Sequence, residues 1–240
     1  MKPKVLLLGS NGYIGRNLTE IFAHNSDYVL LTPKRLELNL LDEEACKQYL
    51  IINKPDFIIH SAVDINSAET SLKLFFNILN HSNKFGQLIQ IGSGAEYDRK
   101  LCESNVSECD FGRSIPTDSY GIAKYLIARE LESHPIGKVV NFRLFGVFGK
   151  YEDISRRFIS NNIVRVLAGL LITVNQDVIF DYIDVHDFGL FILDYLTGKP
   201  LKEISYNFCR GKSLLLSEIA KIIKFQMSVD TSNCFQALLC

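Results

Sequence analysis

The chain has no uninterrupted apolar stretch of about 18 residues, the length a membrane-spanning helix needs, so no membrane association is expected. It also lacks a long basic run. Its 26 Lys and Arg are balanced by 27 Asp and Glu, for a net charge of −1, and nucleic acid is not an implied partner. Six cysteines are present, Cys46, Cys102, Cys109, Cys209, Cys234 and Cys240, but none form a Cys-x-x-Cys pair and no histidine cluster accompanies them. That excludes the common metal-binding spacings and leaves reduced thiols, so no metal is expected. Met1-Lys2-Pro3-Lys4 leads into a strand-length apolar run, not into the longer apolar stretch and small-residue cleavage site of a signal peptide. A cytoplasmic location is the expectation. What remains is an ordinary globular composition, 47% hydrophobic and 22% charged, with enough apolar material for a sizeable core in 240 residues.

The organising stretch lies at the start. Val5 to Leu8 is continuously apolar, as in a strand buried on both faces. Gly9, Gly12 and Gly15 follow at a spacing of three, and then Ile14, Leu18, Ile21 and Phe22 mark one helical face. Strand, glycine turn and helix form the opening unit of a dinucleotide-binding fold. Gly9 permits the sharp turn, Gly12 lets backbone approach a pyrophosphate, and Gly15 lets helix and strand sit close. Asn11, Tyr13 and Ile14 belong to the same cofactor-facing turn, where free N–H groups and the helix dipole favour phosphate.

The rest of the chain alternates strands and helices. Tyr28–Leu31 reads as the second strand. Just beyond it stand Lys34 and Arg35, where a fold preferring NAD places a carboxylate for the ribose 2′-hydroxyl; Glu37 is the nearest acid. Two cations there favour the 2′-phosphate of NADP. Asp42 opens a helix as its N-cap, with Pro55 marking the exit. Phe57–His60 is the next buried strand and ends in Ser61, Ala62 and Val63, small enough to leave room for a cofactor. His60 stands alone and reads as a core histidine rather than a catalytic one. A helix over Ser67 or Ala68 to His81 turns Leu72, Phe75, Phe76 and Leu79 inward. Gln87–Ile91 is a further strand, and the Gly92-Ser93-Gly94 segment after it places Ser93 beyond a strand's carboxyl end, where ligands lie in open α/β sheets. Residues 98–118 form a polar loop long enough to be functional.

A helical pattern follows, to about Ser133. Tyr120 and Lys124 are four apart, with Cβ atoms about 5–6 Å from each other on one face. An ammonium so close favours phenolate over phenol, which suits a tyrosine that exchanges a proton with a hydroxyl or carbonyl.

These segments together resemble the extended short-chain dehydrogenases/reductases that act on nucleotide sugars, over about residues 4 to 225. Gly9-x-x-Gly12-x-x-Gly15 resembles the family's cofactor turn. Ser93, Tyr120 and Lys124 resemble its catalytic trio. Asn141 to Gly149, Phe180 to Asp187, and Tyr206 to Ile223 are similar to its later elements. The resemblance implies a Rossmann-type, doubly wound parallel sheet over residues 1–150 and 178–198, with a substrate lobe from 151–177 and 199–240. That lobe is expected to be truncated or divergent, because the family continues beyond this length. Asn39 and Leu40 would lie near the adenine, Ser61, Ala62 and Val63 would line the cofactor cleft, and Tyr120 and Lys124 would also touch the nicotinamide ribose. A homodimer is implied as well.

Within the family, Glu37-Leu-Asn39-Leu-Leu-Asp42 looks most like GDP-fucose synthases and related keto-sugar reductases. Their epimerising Cys is Ala95 here, and no His stands near Ser160 to Asn162. The dehydratase Glu position is also Ala95; Glu96 comes one residue later and is expected to point away by strand alternation. Phe180 replaces a phosphate-contacting Arg, which leaves Arg156, Arg157 and Arg165 as candidates, and Ser71 replaces an Asn. The resulting expectation is an NADP(H)-dependent reductase of a 4-keto (deoxy) nucleotide sugar in surface-polysaccharide sugar biosynthesis. The alternatives are a nucleotide-sugar 4-epimerase with retained NAD, and a non-catalytic nucleotide-binding protein.

Overall fold

A computed structural model describes residues 2–98, 106–198 and 201–237. The chain divides into two compact units. The first contains residues up to Phe145 and His186–Phe208; the second contains Gly146–Val185 and the residues from Cys209 onward.

The first unit is built on a six-stranded parallel sheet. Its strands are β1 (Lys4–Leu8), β2 (Val29–Leu31), β3 (Phe57–His60), β4 (Gln87–Ser93), β5 (Val139–Leu144) and, late in the chain, β9 (Ser205–Phe208). They lie in the order β2-β1-β3-β4-β5-β9. The order reverses between β1 and β3, and the carboxyl ends of strands at such a switch point form a crevice. The helices are α1 (Tyr13–Ala23), α2 (Glu43–Asn53), α3 (Ala68–Leu79), α4 (Ser119–Ser133) and most of α6 (Val185–Leu196). This is the doubly wound α/β sheet that the resemblance implies.

Local chemistry sets the helix starts. Asp42 accepts the Ala45 N–H, Ser67 the Thr70 N–H, and Asp118 the Gly121 N–H, each satisfying one of the first-turn amides that a helix leaves open. One sheet face packs Leu6, Leu8, Ile58 and Leu88 against Leu50, Phe75, Ile78, Ile127 and Leu131 of α2, α3 and α4. The other presents Phe142 to Phe188, Phe191 and Tyr195 of α6. Gly189 brings α6 onto α1: a Cβ there would stand 2.1 Å from Ile21 Cδ1.

Across the α4 side of the sheet runs a row of polar residues. His60 pairs in register with Gln90, Gln90 with Asn141, and Asn141 with Ser205, and all four are buried. In apolar parallel strands this is unusual, since a buried polar group costs free energy unless it is bonded.

The second unit contains β6 (Gly146–Phe148) paired with β8 (Tyr182–Asp184), and β7 (Ile179–Phe180) paired antiparallel with β10 (Leu214–Leu215). α5 (Phe158–Leu167) and α7 (Leu216–Ala237) share a core of Ile159, Ile219 and Ile223. Asn162 acts as a strand edge, donating to the Thr173 carbonyl and accepting the Thr173 N–H.

Among the described residues no helix is long and apolar enough to cross a membrane, and no group of three or more His, Cys, Asp or Glu could hold a metal ion. Cys46 is a buried thiol, and Cys109 and Cys209 are exposed ones. Cys102 and Cys240 lie outside the described residues, as does part of the 98–118 loop.

Candidate active site

A cleft of about 620 Å³ opens at the β1/β3 switch point. Gly9 turns the chain out of β1 with φ +84°, a conformation glycine adopts without strain. A Cβ on Gly9 would stand 2.6 Å from the Ala62 amide nitrogen, so the turn packs directly on the end of β3. Gly15 lies beneath the turn, where a Cβ would be 2.2 Å from the Gly9 carbonyl oxygen. Gly12 is the N-cap of α1 and offers no side-chain cap, and the first turn of α1 carries no acid. Asp42, Ser67 and Asp118 cap α2, α3 and α4, so α1 alone of these four presents an uncapped, positive end. That donor set fits the pyrophosphate of a dinucleotide.

Of the residues assigned to the cofactor, Gly9, Asn11, Arg35, Asn39, Leu40, Ala62 and Val63 line this cleft. Gly12, Tyr13, Ile14, Gly15, Lys34 and Ser61 do not. The Ser61 hydroxyl instead donates to the Leu8 carbonyl at 2.8 Å and ties β3 to β1. The loop after β2 holds its own shape. The Glu37 carboxylate accepts the Lys34 N–H at 2.7 Å, Leu38 is buried, and Asn77 of α3 donates to the Leu40 carbonyl at 2.9 Å. Glu37 is thereby occupied within the loop, and the Arg35 side of the pair faces the cleft. Sequence reading missed Asp64, Ile65, Thr70 and Leu74 on the far wall. Ser71 fixes that wall by accepting the Asp64 N–H and donating to the Asp64 carbonyl.

Ser93, Tyr120 and Lys124 stand outside the cleft lining, at the end of β4. That strand runs two residues further than the apolar pattern predicts, so Ser93 is its last residue. Ser93 also caps a 3-10 turn, Gly94–Glu96, accepting the Ala95 N–H on Oγ at 3.1 Å. The start of α4 packs against this turn: a Cβ on Gly121 would lie 2.9 Å from the Ala95 carbonyl oxygen. Lys124 is buried, donates to the Ile91 carbonyl two residues before Ser93, and holds its ammonium 5.9 Å from the centre of the Tyr120 ring. Strand end and helix start thus bring hydroxyl, phenol and ammonium into one region of the first unit. Ala95 and Glu96 are buried. Strand alternation does not set the direction of Glu96. The backbone here is a 3-10 turn, and the carboxylate is taken by Arg143.

His60 is fully buried in the polar row, with Nε2 3.1 Å from the Leu74 carbonyl and its ring edge-on to Phe75. Burial first, and the Lys124 charge second, push it down from 6.5 to about 4. Between these values the unfolded chain binds the proton and the folded chain does not, so stability is complete above about 6.5 and is lost as pH falls through about 4. Chemical denaturation of the parent and His60→Gln from pH 7 to 4 should show a differential loss of roughly 3 kcal/mol in the parent. Parallel curves would remove His60 as the cause.

In the second unit, Arg165 donates to the Leu171 carbonyl at 2.7 Å and closes the end of α5. Arg156 lies 3.7 Å from Asp153, and Arg157 lies 4.0 Å from the buried Glu152 carboxylate. Both arginines remain largely exposed.

With this arrangement in hand, the relationships of the chain are clear. Residues 5–207 match the NAD dependent epimerase/dehydratase family, and the chain belongs to it. It is 26% identical over 255 aligned residues to GDP-L-colitose synthase of Yersinia pseudotuberculosis, covering 92% of this chain and 80% of that protein. It is 26% identical over 155 residues to GDP-L-fucose synthase of Azorhizobium caulinodans, covering 58% and 48%. In structure it resembles the NADP-bound GDP-mannoheptose C4 reductase of Campylobacter jejuni, with a TM-score of 0.75 at 18% identity over 93% of this chain and 83% of that one.

Proposed function

We propose that this chain is an NADP(H)-dependent reductase of a 4-keto nucleotide sugar, acting on a GDP-linked substrate in surface-polysaccharide sugar biosynthesis. The observation that carries the reading is the placement, in one unit, of an uncapped glycine turn at the switch point and of Ser93, Tyr120 and Lys124 at the next strand end. Relatives named for GDP-sugar synthesis support it. The glycine turn, Arg35, Asn39, Leu40, Ala62 and Val63 would hold the cofactor, which supplies the hydride. Tyr120 gives its phenolic proton to the carbonyl oxygen. The Ser93 oxygen accepts the Ala95 N–H, so its own hydrogen is left to donate to that same oxygen and stabilise charge there. An ammonium carries three donors, and the Ile91 carbonyl takes one from Lys124, leaving two for the ribose hydroxyls. A cytoplasmic homodimer is part of the same proposal.

The test is fluorescence titration with NADPH and NADH, followed by a panel of keto sugar nucleotides monitored at the nicotinamide absorbance. Net NADPH consumption is expected. Tightly held NAD that survives dialysis, without net consumption, favours the 4-epimerase, and binding without turnover of any kind favours the non-catalytic reading. Arg35 supplies a sharper check. A charge-assisted contact contributes about 1.5–3 kcal/mol, so Arg35→Ser should weaken NADPH roughly 10- to 100-fold and leave NADH nearly unaffected. Equal losses for both cofactors would take the 2′-phosphate away from Arg35.

A further inference from the structure

Glu96 occupies an expensive place. It is 1% exposed, the last residue of the turn that Ser93 caps, and three groups donate to its carboxylate. Oε1 accepts the Ser93 N–H at 3.0 Å, Oε2 accepts Arg143 Nε at 2.6 Å, and Asn141 Nδ2 reaches both oxygens at 3.3 and 3.1 Å. Gly92 makes the space: a Cβ there would stand 2.4 Å from both Asn141 Oδ1 and Glu96 Oε1. Burial pushes the Glu96 carboxyl up, and the Arg143 charge opposes that rise.

Arg143 is itself fully buried, and its remaining donors reach outward. Nη2 pairs with Glu132 at 2.6 Å, Nη1 reaches the Tyr97 hydroxyl at 3.3 Å, and the guanidinium lies 4.3 Å from the centre of the Phe111 ring. Glu132 is on α4, the helix that carries Tyr120 and Lys124. One guanidinium therefore joins the carboxylate that holds the Ser93 amide to a carboxylate on the helix of the phenol. Its donors point in fixed directions from one rigid plane, so a guanidinium sets the two carboxylates relative to each other more strictly than a point charge would.

We propose that Glu96, clamped by Arg143 and Asn141, is a positioning residue that sets the Ser93 hydroxyl relative to the substrate carbonyl. The proposal rests on the reductase reading. Glu96 touches no reacting atom; it acts through the Ser93 backbone, which it holds in the capped turn that also engages the Ser93 oxygen with Ala95.

The experiment is a double-mutant cycle on keto-sugar reduction with NADPH. A misplacement of about 1 Å costs up to roughly 100-fold, so Glu96→Gln should lose about 10- to 100-fold in kcat with an unchanged Kd for NADPH. In a Ser93→Ala background the same substitution should cause no further loss. Glu96→Leu/Arg143→Met removes both charges together and leaves neither buried alone. It should unfold near the parent's denaturant midpoint and still lose at least as much kcat as Glu96→Gln. Multiplying losses in the Ser93→Ala background, or parent-like kcat in either Glu96 variant, overturns the proposal and leaves the reductase reading intact. A parent protein with no turnover overturns both.

Discussion

Tyr120→Phe should lower kcat for keto-sugar reduction by roughly 10²- to 10⁴-fold, the range a positioned general acid contributes. The substitution removes one oxygen and little else. Tyr120 is only partly buried at the start of α4, and the helix begins on the Asp118 cap, whose carboxylate accepts the Gly121 N–H. Lys124 keeps its bond to the Ile91 carbonyl and remains over the ring of the new phenylalanine. The cleft at the switch point is lined by other residues, so NADPH affinity should survive. That separation gives the measurement its value. Stopped turnover with intact cofactor titration identifies a proton donor, whereas equal loss of both points to a disturbed fold. Unchanged turnover in Tyr120→Phe would end the assignment of Tyr120, and with it the proposed chemistry. Ser93→Ala should be milder, since loss of one oxyanion donor costs about 10²- to 10³-fold.

Much of this arrangement is legible in the chain itself. The first strand, the glycine turn and the first helix are local: continuous apolar residues, a positive φ at Gly9 and 3.6-residue periodicity all act within about 20 residues. N-caps such as Asp42 and Ser67 are equally local, and the helix starts follow them to within a residue. What the pattern does not carry is the polar interior. Hydrophobic periodicity reads His60, Gln90, Asn141 and Ser205 as interruptions in four separate strands; only register shows them to be neighbours. Arg143 reads as a lone charge in an apolar strand, and its partners Glu96 and Glu132 are 47 and 11 residues away. The direction of Glu96 likewise depends on a 3-10 turn that alternation cannot anticipate. Of Lys34 and Arg35, equally placed in sequence, only Arg35 lines the cleft, because the Glu37 and Leu38 anchors set the path of the loop.

Arg143→Met should lower the free energy of unfolding by about 3–5 kcal/mol at pH 7, the loss seen when one partner of a buried ion pair is removed. The volume is nearly kept, so the effect comes from charge. Glu96 would remain 1% exposed with its guanidinium gone, and the Ser93 and Asn141 donors cannot neutralise it. Its carboxyl would then rise further above the ordinary value of 4.5, because burial already pushes it up and Arg143 is the largest influence pulling it down. A folded-state value raised above the unfolded one means a penalty that grows as pH increases past the unfolded value and shrinks below it. The deficit of Arg143→Met relative to the parent should therefore narrow as the pH approaches 4.5. Glu96→Leu/Arg143→Met should recover most of the lost stability, since apolar replacement of both partners is often neutral. Urea titrations of the three proteins at pH 7 and pH 5 decide the matter. A single variant as stable as the parent, or a double variant worse than the single, would mean that the pair does not hold this part of the fold together.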